Sequence, residues 1–202
     1  MKKILSAVLF CIFLISCGNP KKKSAFEGEV INEHPTAAVG TLPDNSLFML
    51  TDSFKTQNNK EIALAQFAGR PTVIGMIFTH CDYACPRLTA DIKNIHKQLN
   101  VPEGKVNFVL ISFDTERDTP EVLKKYAENL QLGKDFTLLH GSEEAVRTLS
   151  VLLNVQYQKD AEGNFSHSNI ISVLDKEGNL ISQKEGLEAN PEKTLEALKA
   201  SL

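Results

Sequence analysis

Cys81 and Cys85 stand four residues apart in Phe78-Thr79-His80-Cys81-Asp82-Tyr83-Ala84-Cys85-Pro86. The apolar run Thr72-Val73-Ile74-Gly75-Met76-Ile77-Phe78 precedes them, and Leu88, Ile92, Ile95 and Leu99 follow at helical spacing. The pair therefore occupies a strand-to-helix turn. On the first turn of a helix that spacing brings both side chains to one face, about one turn apart along the axis. The positive end of the helix dipole is expected to favour thiolate over thiol there. Two adjacent thiolates can close to a disulfide or hold a soft metal such as Cu(I). The pair alone leaves both chemistries open.

The remaining cysteines belong to the start of the chain. Met1-Lys2-Lys3 is a short basic start, and Ile4–Ile15 is almost wholly apolar. That run falls short of the about 20 residues a spanning helix needs, and it matches the apolar region of a secretory signal. It ends in Leu14-Ile15-Ser16-Cys17-Gly18, which resembles the lipobox of bacterial lipoproteins, where the Cys is diacylated and becomes the first mature residue. The sequence thus predicts a signal peptide over residues 1–16, a lipidated and tethering N-terminus over 17–41, and one domain over 42–202. Two acyl chains suffice for stable membrane attachment. The predicted location is therefore extracytoplasmic and membrane-anchored, facing the periplasm in a Gram-negative cell. Cys11 leaves with the signal and Cys17 is acylated, so Cys81 and Cys85 are the free thiols of the mature chain. A disulfide-stapled fold in an oxidising space usually carries more cysteines, and distant ones. A single close pair reads instead as reactive or metal-binding. A formal net charge of −3 gives no nucleic-acid footprint.

The elements that must position the pair follow from periodicity and turn chemistry. Leu47–Leu50 and Glu61–Leu64 flank the polar turn 55–60, which predicts an N-terminal hairpin. A strand over Thr72–Thr79 leads into a helix over Pro86–Leu99. Val106–Phe113 is a nearly continuous apolar run, as in a strand covered on both faces. A helix then starts with Thr119 as N-cap and Pro120 at its first position, its apolar face being Val122, Leu123, Tyr126 and Leu130. Phe136–Leu139 is a short strand and Glu143–Leu153 a helix. Asn169–Leu174 and Leu180–Ser182 flank the turn 175–179, a second hairpin, and Pro191 opens a terminal helix that buries Leu195 and Leu198. The fold class is α/β, a mixed sheet with helices on both faces and the pair at the carboxyl end of the first βαβ strand.

In these motifs the chain resembles the thioredoxin-fold copper chaperones of the Sco/SenC family. The resemblance rests on the strand, the Cys-x-x-x-Cys-Pro turn and the helix after it. It continues through Ser112-Phe113-Asp114-Thr115-Glu116-Arg117-Asp118-Thr119-Pro120, Phe136–Gly141 and Ser166-His167-Ser168, and spans about residues 42–200. It implies a thioredoxin-like mixed sheet flanked by helices. It also implies a copper site, for Cu(I) and Cu(II), made by two cysteines and one distant histidine, which map onto Cys81, Cys85 and His167. The implied role is assembly of the copper A centre of cytochrome c oxidase or a related copper enzyme. The partners implied are the copper A-containing subunit and a thioredoxin-like reductant. Two positions depart from the pattern: Asp82 and Thr115 stand where many members have proline. Neither change removes a ligand.

His167 falls just before the strand from Asn169, in the loop that faces the cysteine turn of a thioredoxin-like sheet; its neighbours are polar and are expected to be exposed. His80 adjoins Cys81, but the strand pleat is expected to turn it away, leaving it beside the site rather than in it. His34, His96 and His140 read as structural or solvated. Asp114 is expected near the site, bonded to backbone amides or acting electrostatically, and Arg117 is expected to pair with Asp114 or Asp118. Tyr83 is expected to shield the site or touch a partner. Thioredoxin-type reductases use Cys-x-x-Cys beside a cis-proline, whereas here the corresponding loop holds Ser166-His167-Ser168. A peroxidase would need one peroxidatic Cys in a Thr-rich loop. Copper is the first reading; the alternative is a thiol-disulfide oxidoreductase that reduces the cysteines of a copper-accepting protein.

Overall fold

Two runs without a polar face set the centre of the sheet. β3 (Thr72–Ile77) and β4 (Asn107–Ser112) are buried at every position, as parallel strands covered on both sides must be. They pair in parallel, with Gly75 opposite Leu110, and β5 (Phe136–Gly141) pairs in parallel on the far side of β4. β1 (Ser53–Thr56) and β2 (Glu61–Ala63) form a hairpin that joins antiparallel to β5. On the other side β8 (Ile170–Leu174) pairs antiparallel with β3, and β9 (Leu180–Glu185) closes the edge. The seven-stranded order is β2-β1-β5-β4-β3-β8-β9. The computed structural model describes residues 42–188 and 190–202; the predicted signal peptide, Cys17, the tether and His34 lie outside the described residues.

The helices follow from the crossovers. α1 (Ala84–Leu99) connects β3 to β4 and α2 (Pro120–Asn129) connects β4 to β5. Both crossovers step the same way across the sheet, so right-handed connections put both helices on one face. α4 (Glu192–Ala200) packs beside α1. α3 (Glu143–Leu152) lies on the opposite face, where its Val146 approaches Gly141. Gly75 lets α1 sit directly on β3: a Cβ there would lie 2.7 Å from the Ile92 Cδ1. Leu88, Ile92, Ile95 and Leu99 are all buried, as their spacing requires. Thr119 caps α2 as expected, accepting from the Val122 amide at 3.4 Å with Pro120 at the first helical position.

Three differences from the sequence expectation have local causes. Leu47–Met49 is a 3-10 turn, not a strand. The Ser46 hydroxyl caps it, accepting from the Phe48 amide, while the Leu47 amide donates to the Gly178 carbonyl in the β8–β9 turn. A short apolar run reads alike as strand or buried turn. The N-terminal hairpin forms one segment later, where Phe54 and Thr56 alternate with exposed residues. α1 starts at Ala84 rather than Pro86, which leaves Cys85 in its first turn and Cys81 before it. A separate two-stranded ribbon, β6 (Tyr157–Lys159) with β7 (Phe165–His167), carries His167 at its base.

Candidate metal centre

β3 ends at Ile77, and the chain turns over Phe78–Tyr83 into α1. Tyr83, the N-cap residue, makes no side-chain cap, so the first amides of α1 need other acceptors. The Cys81 sulfur supplies one, accepting from the Cys85 amide at 3.3 Å. The Cys85 sulfur accepts from the Phe78 amide, also at 3.3 Å. Each thiol is thus oriented by a backbone N–H. β8 runs antiparallel to β3, so its first residues lie at the thiol end of the sheet. The chain entering β8 brings His167 there, with Nε2 3.5 Å from the Cys85 sulfur. The Cys81 Sγ, Cys85 Sγ and a His167 ring nitrogen lie within 4.8 Å of one another. The sequence-predicted trio therefore converges.

The ring's tautomer follows from its partners. His167 Nδ1 stands 3.1 Å from the Ser168 carbonyl, which can only accept, so Nδ1 carries the proton. Nε2 is left with its lone pair toward the thiols. Burial lowers the His167 pKa, an effect partly opposed by the Ser168 carbonyl, and this favours the neutral ring a metal requires. The ring is half-buried: its centroid lies 5.0 Å from Phe113 and 5.9 Å from Phe78. Its neighbour Ser166 is exposed, as expected, while the alternation of β7 turns Phe165 and His167 inward. Cys85 is wholly buried and Cys81 half-buried. Burial pushes the Cys85 thiol far above the ordinary range; the Phe78 amide opposes this, and the Cys81 charge adds to it. The expected dipole-activated thiolate is thus overturned at Cys85, where desolvation outweighs the helix terminus.

The other predicted residues form a frame behind the thiols. Asp114 is buried and receives the Arg117 backbone amide at 3.3 Å and its Nε–H. Of the two acids expected to pair with Arg117, it is Asp114 that does. Asp118 is wholly buried and ties the end of β3 to the end of β4. It accepts from the Thr79 amide at 2.8 Å, the Thr79 hydroxyl, and the Ser112 hydroxyl at 2.6 Å. His80 is exposed, its Nδ1 3.6 Å from Asp118 and outside the thiol–imidazole group. His140 meets the Asp118 carbonyl, and His96 pairs with Asp135. Tyr83 is exposed beside the cysteine turn with the Arg87 guanidinium over its ring. Sequence reasoning missed Asp118 as the anchor of the cysteine turn and missed the aromatic wall of Phe78, Phe113, Tyr157 and Phe165. The wall had a signal: Tyr157-Gln158-Lys159 and Phe165-Ser166-His167 alternate around Asp160-Ala161-Glu162-Gly163-Asn164, which is hairpin chemistry.

The family model described as SCO1/SenC matches residues 44–202. The chain is 26% identical over 193 residues to the SCO1 protein homolog of Bacillus subtilis (strain 168), covering 94% of this chain and 90% of that one. The structure of Bradyrhizobium japonicum ScoI with copper bound is similar at a TM-score of 0.65 and 27% identity, covering 75% of this chain and 97% of that one. BsSco, described as a member of the Sco family of cytochrome c oxidase assembly proteins with a disulfide switch, is similar at a TM-score of 0.65 and 25% identity, covering 74% and 90%.

Proposed function

The chain belongs to the SCO1/SenC family, and from that premise we propose that it is a copper chaperone. It binds copper as cargo through Cys81, Cys85 and His167, and helps assemble the copper A centre of cytochrome c oxidase or a related copper enzyme. The observation that carries this reading is the convergence of two sulfurs and one imidazole nitrogen within 4.8 Å. The donor set fits the metal: thiolates suit Cu(I), and imidazole beside them suits Cu(II). The copper-bound Bradyrhizobium japonicum relative supports the same assignment. Its partners are the copper A-containing subunit and a thioredoxin-like reductant, and Cys17 anchors it to the membrane on the extracytoplasmic side.

A second reading draws on the same thiols. Both are free and their sulfurs lie within 4.8 Å, and BsSco is described with a disulfide switch. As an oxidoreductase the pair gives two electrons and two protons to a target disulfide, which opens to two thiols as the Cys81–Cys85 disulfide closes. Copper affinity of the anaerobically reduced protein, compared with His167→Ala, separates the readings. The chaperone reading expects tight 1:1 binding that weakens in the variant. An absence of copper binding by the reduced wild type leaves the oxidoreductase.

A further inference from the structure

The β6–β7 ribbon stands apart from the main sheet and pairs only Tyr157 with His167, Gln158 with Ser166 and Lys159 with Phe165. A ribbon of that size is at best marginally stable alone, so its position depends on what fastens it. Its underside is fastened by aromatic contact: Phe113 stacks on Tyr157 and tilts against Phe165, both at 5.1 Å, and Phe78 lies 5.2 Å from Phe165. Its tip is fastened by two side-chain contacts, of which one is partly buried. The Arg117 guanidinium donates through Nε to buried Asp114, just past β4, and through Nη2 to the Gly163 carbonyl at 2.5 Å. Gly163, with φ of +85°, is in the turn of the ribbon. The same guanidinium lies 6.0 Å from the Phe165 ring centroid. The Lys159–Glu116 pair, at 2.6 Å, adds an exposed contact that solvent screens.

We propose that Arg117 is the positioning residue of His167, latching the ribbon's tip to the rigid end of β4 and so setting where the imidazole stands relative to the two thiols. This rests on the reading of His167 as the third copper donor. The link runs through the pleat: Phe165 and His167 are two apart on β7 and face the same aromatic wall. Holding the tip down holds Phe165 inward, and His167 with it. A planar fork can serve a carboxylate and a carbonyl at once; an ammonium on a flexible stem cannot hold both in that geometry.

Arg117→Lys is the informative variant, because it keeps a positive charge beside buried Asp114 while breaking the bridge. Arg117→Ala is the companion, and if it fails to fold, Arg117→Lys carries the test. In the reduced, metal-free protein, faster amide exchange confined to residues 157–167 and a shifted His167 imidazole resonance are expected. On copper addition, affinity is expected to fall about 10- to 100-fold, the usual cost of losing a group that orients a ligand. Wild-type exchange across the ribbon, or wild-type copper affinity in a loosened ribbon, overturns the proposal. If His167→Ala binds copper as tightly as wild type, the ligand reading fails, and the metal-free exchange result alone upholds or overturns the latch.

Discussion

Cys85 is the residue on which opposing demands meet. Packing against the core buries it completely, while copper binding needs the thiolate. With its pKa pushed far up by desolvation, Cys85 stays protonated at neutral pH, and in the proposed copper site it must release that proton when metal binds. Copper affinity is therefore expected to rise with pH across about pH 6–8, by up to about tenfold per unit for each proton released. Competition titrations at several pH values check this, and a flat profile contradicts it. The sign for metal-free stability is opposite: with the folded thiol's pKa raised, this contribution is full below the ordinary thiol pKa of about 8.5 and is lost progressively as pH rises from there toward the folded pKa. Asp118 offers a second test at this scale. Its carboxylate serves the Thr79 amide, the Thr79 hydroxyl and the Ser112 hydroxyl, more donors than one amide oxygen can satisfy. Asp118→Asn is expected to cost about 1–3 kcal/mol in urea unfolding, and to weaken copper binding, because Thr79 lies two residues before Cys81. The cysteine pair was legible in the sequence because spacing and flanking pattern are local. Asp118 was not, since three donors from two strand ends meet it only after β3 and β4 pair.

At the scale of elements, α1 and β3 together hold the thiols, and their contact depends on Gly75. A Cβ there meets Ile92 Cδ1 at 2.7 Å, so Gly75→Ala is expected to destabilise by about 1–3 kcal/mol through overpacking. Adding Ile92→Val, which removes that δ-carbon, is expected to recover part of the loss; no recovery in urea melts would place the strain elsewhere. The continuous apolar runs of β3 and β4 and the Thr119-Pro120 cap were readable because each carries its signal within a few residues. The first hairpin was displaced because Leu47–Met49 has the same apolar pattern whether it pairs or folds under the β8–β9 turn. The β6–β7 ribbon escaped notice because its inward residues are Tyr157, Phe165 and His167 among polar ones. That pattern becomes a packed face only against Phe113 and Phe78.

Over the whole molecule, the sheet has two ends with different tasks. The first described residues pack against the β8–β9 turn through Ser46 and Leu47, at the end of β3 opposite the thiols. The thiol end carries exposed Tyr83 and His80, which leaves it open to a partner. For the proposed lipid anchor at Cys17, Cys17→Ser is expected to abolish acylation; wild-type protein that takes up no palmitate label would refute the anchor. In the proposed site, metal binding and disulfide formation would consume the same sulfurs, so bound copper is expected to protect Cys81 and Cys85 from oxidants. The central claim, however, is the identity of the donors. X-ray absorption of the reduced protein loaded with one equivalent of Cu(I) reads them directly. The account predicts two sulfur scatterers and one imidazole nitrogen, with the imidazole signal lost in His167→Ala. A shell without two sulfurs, or an imidazole signal unchanged in that variant, would contradict it.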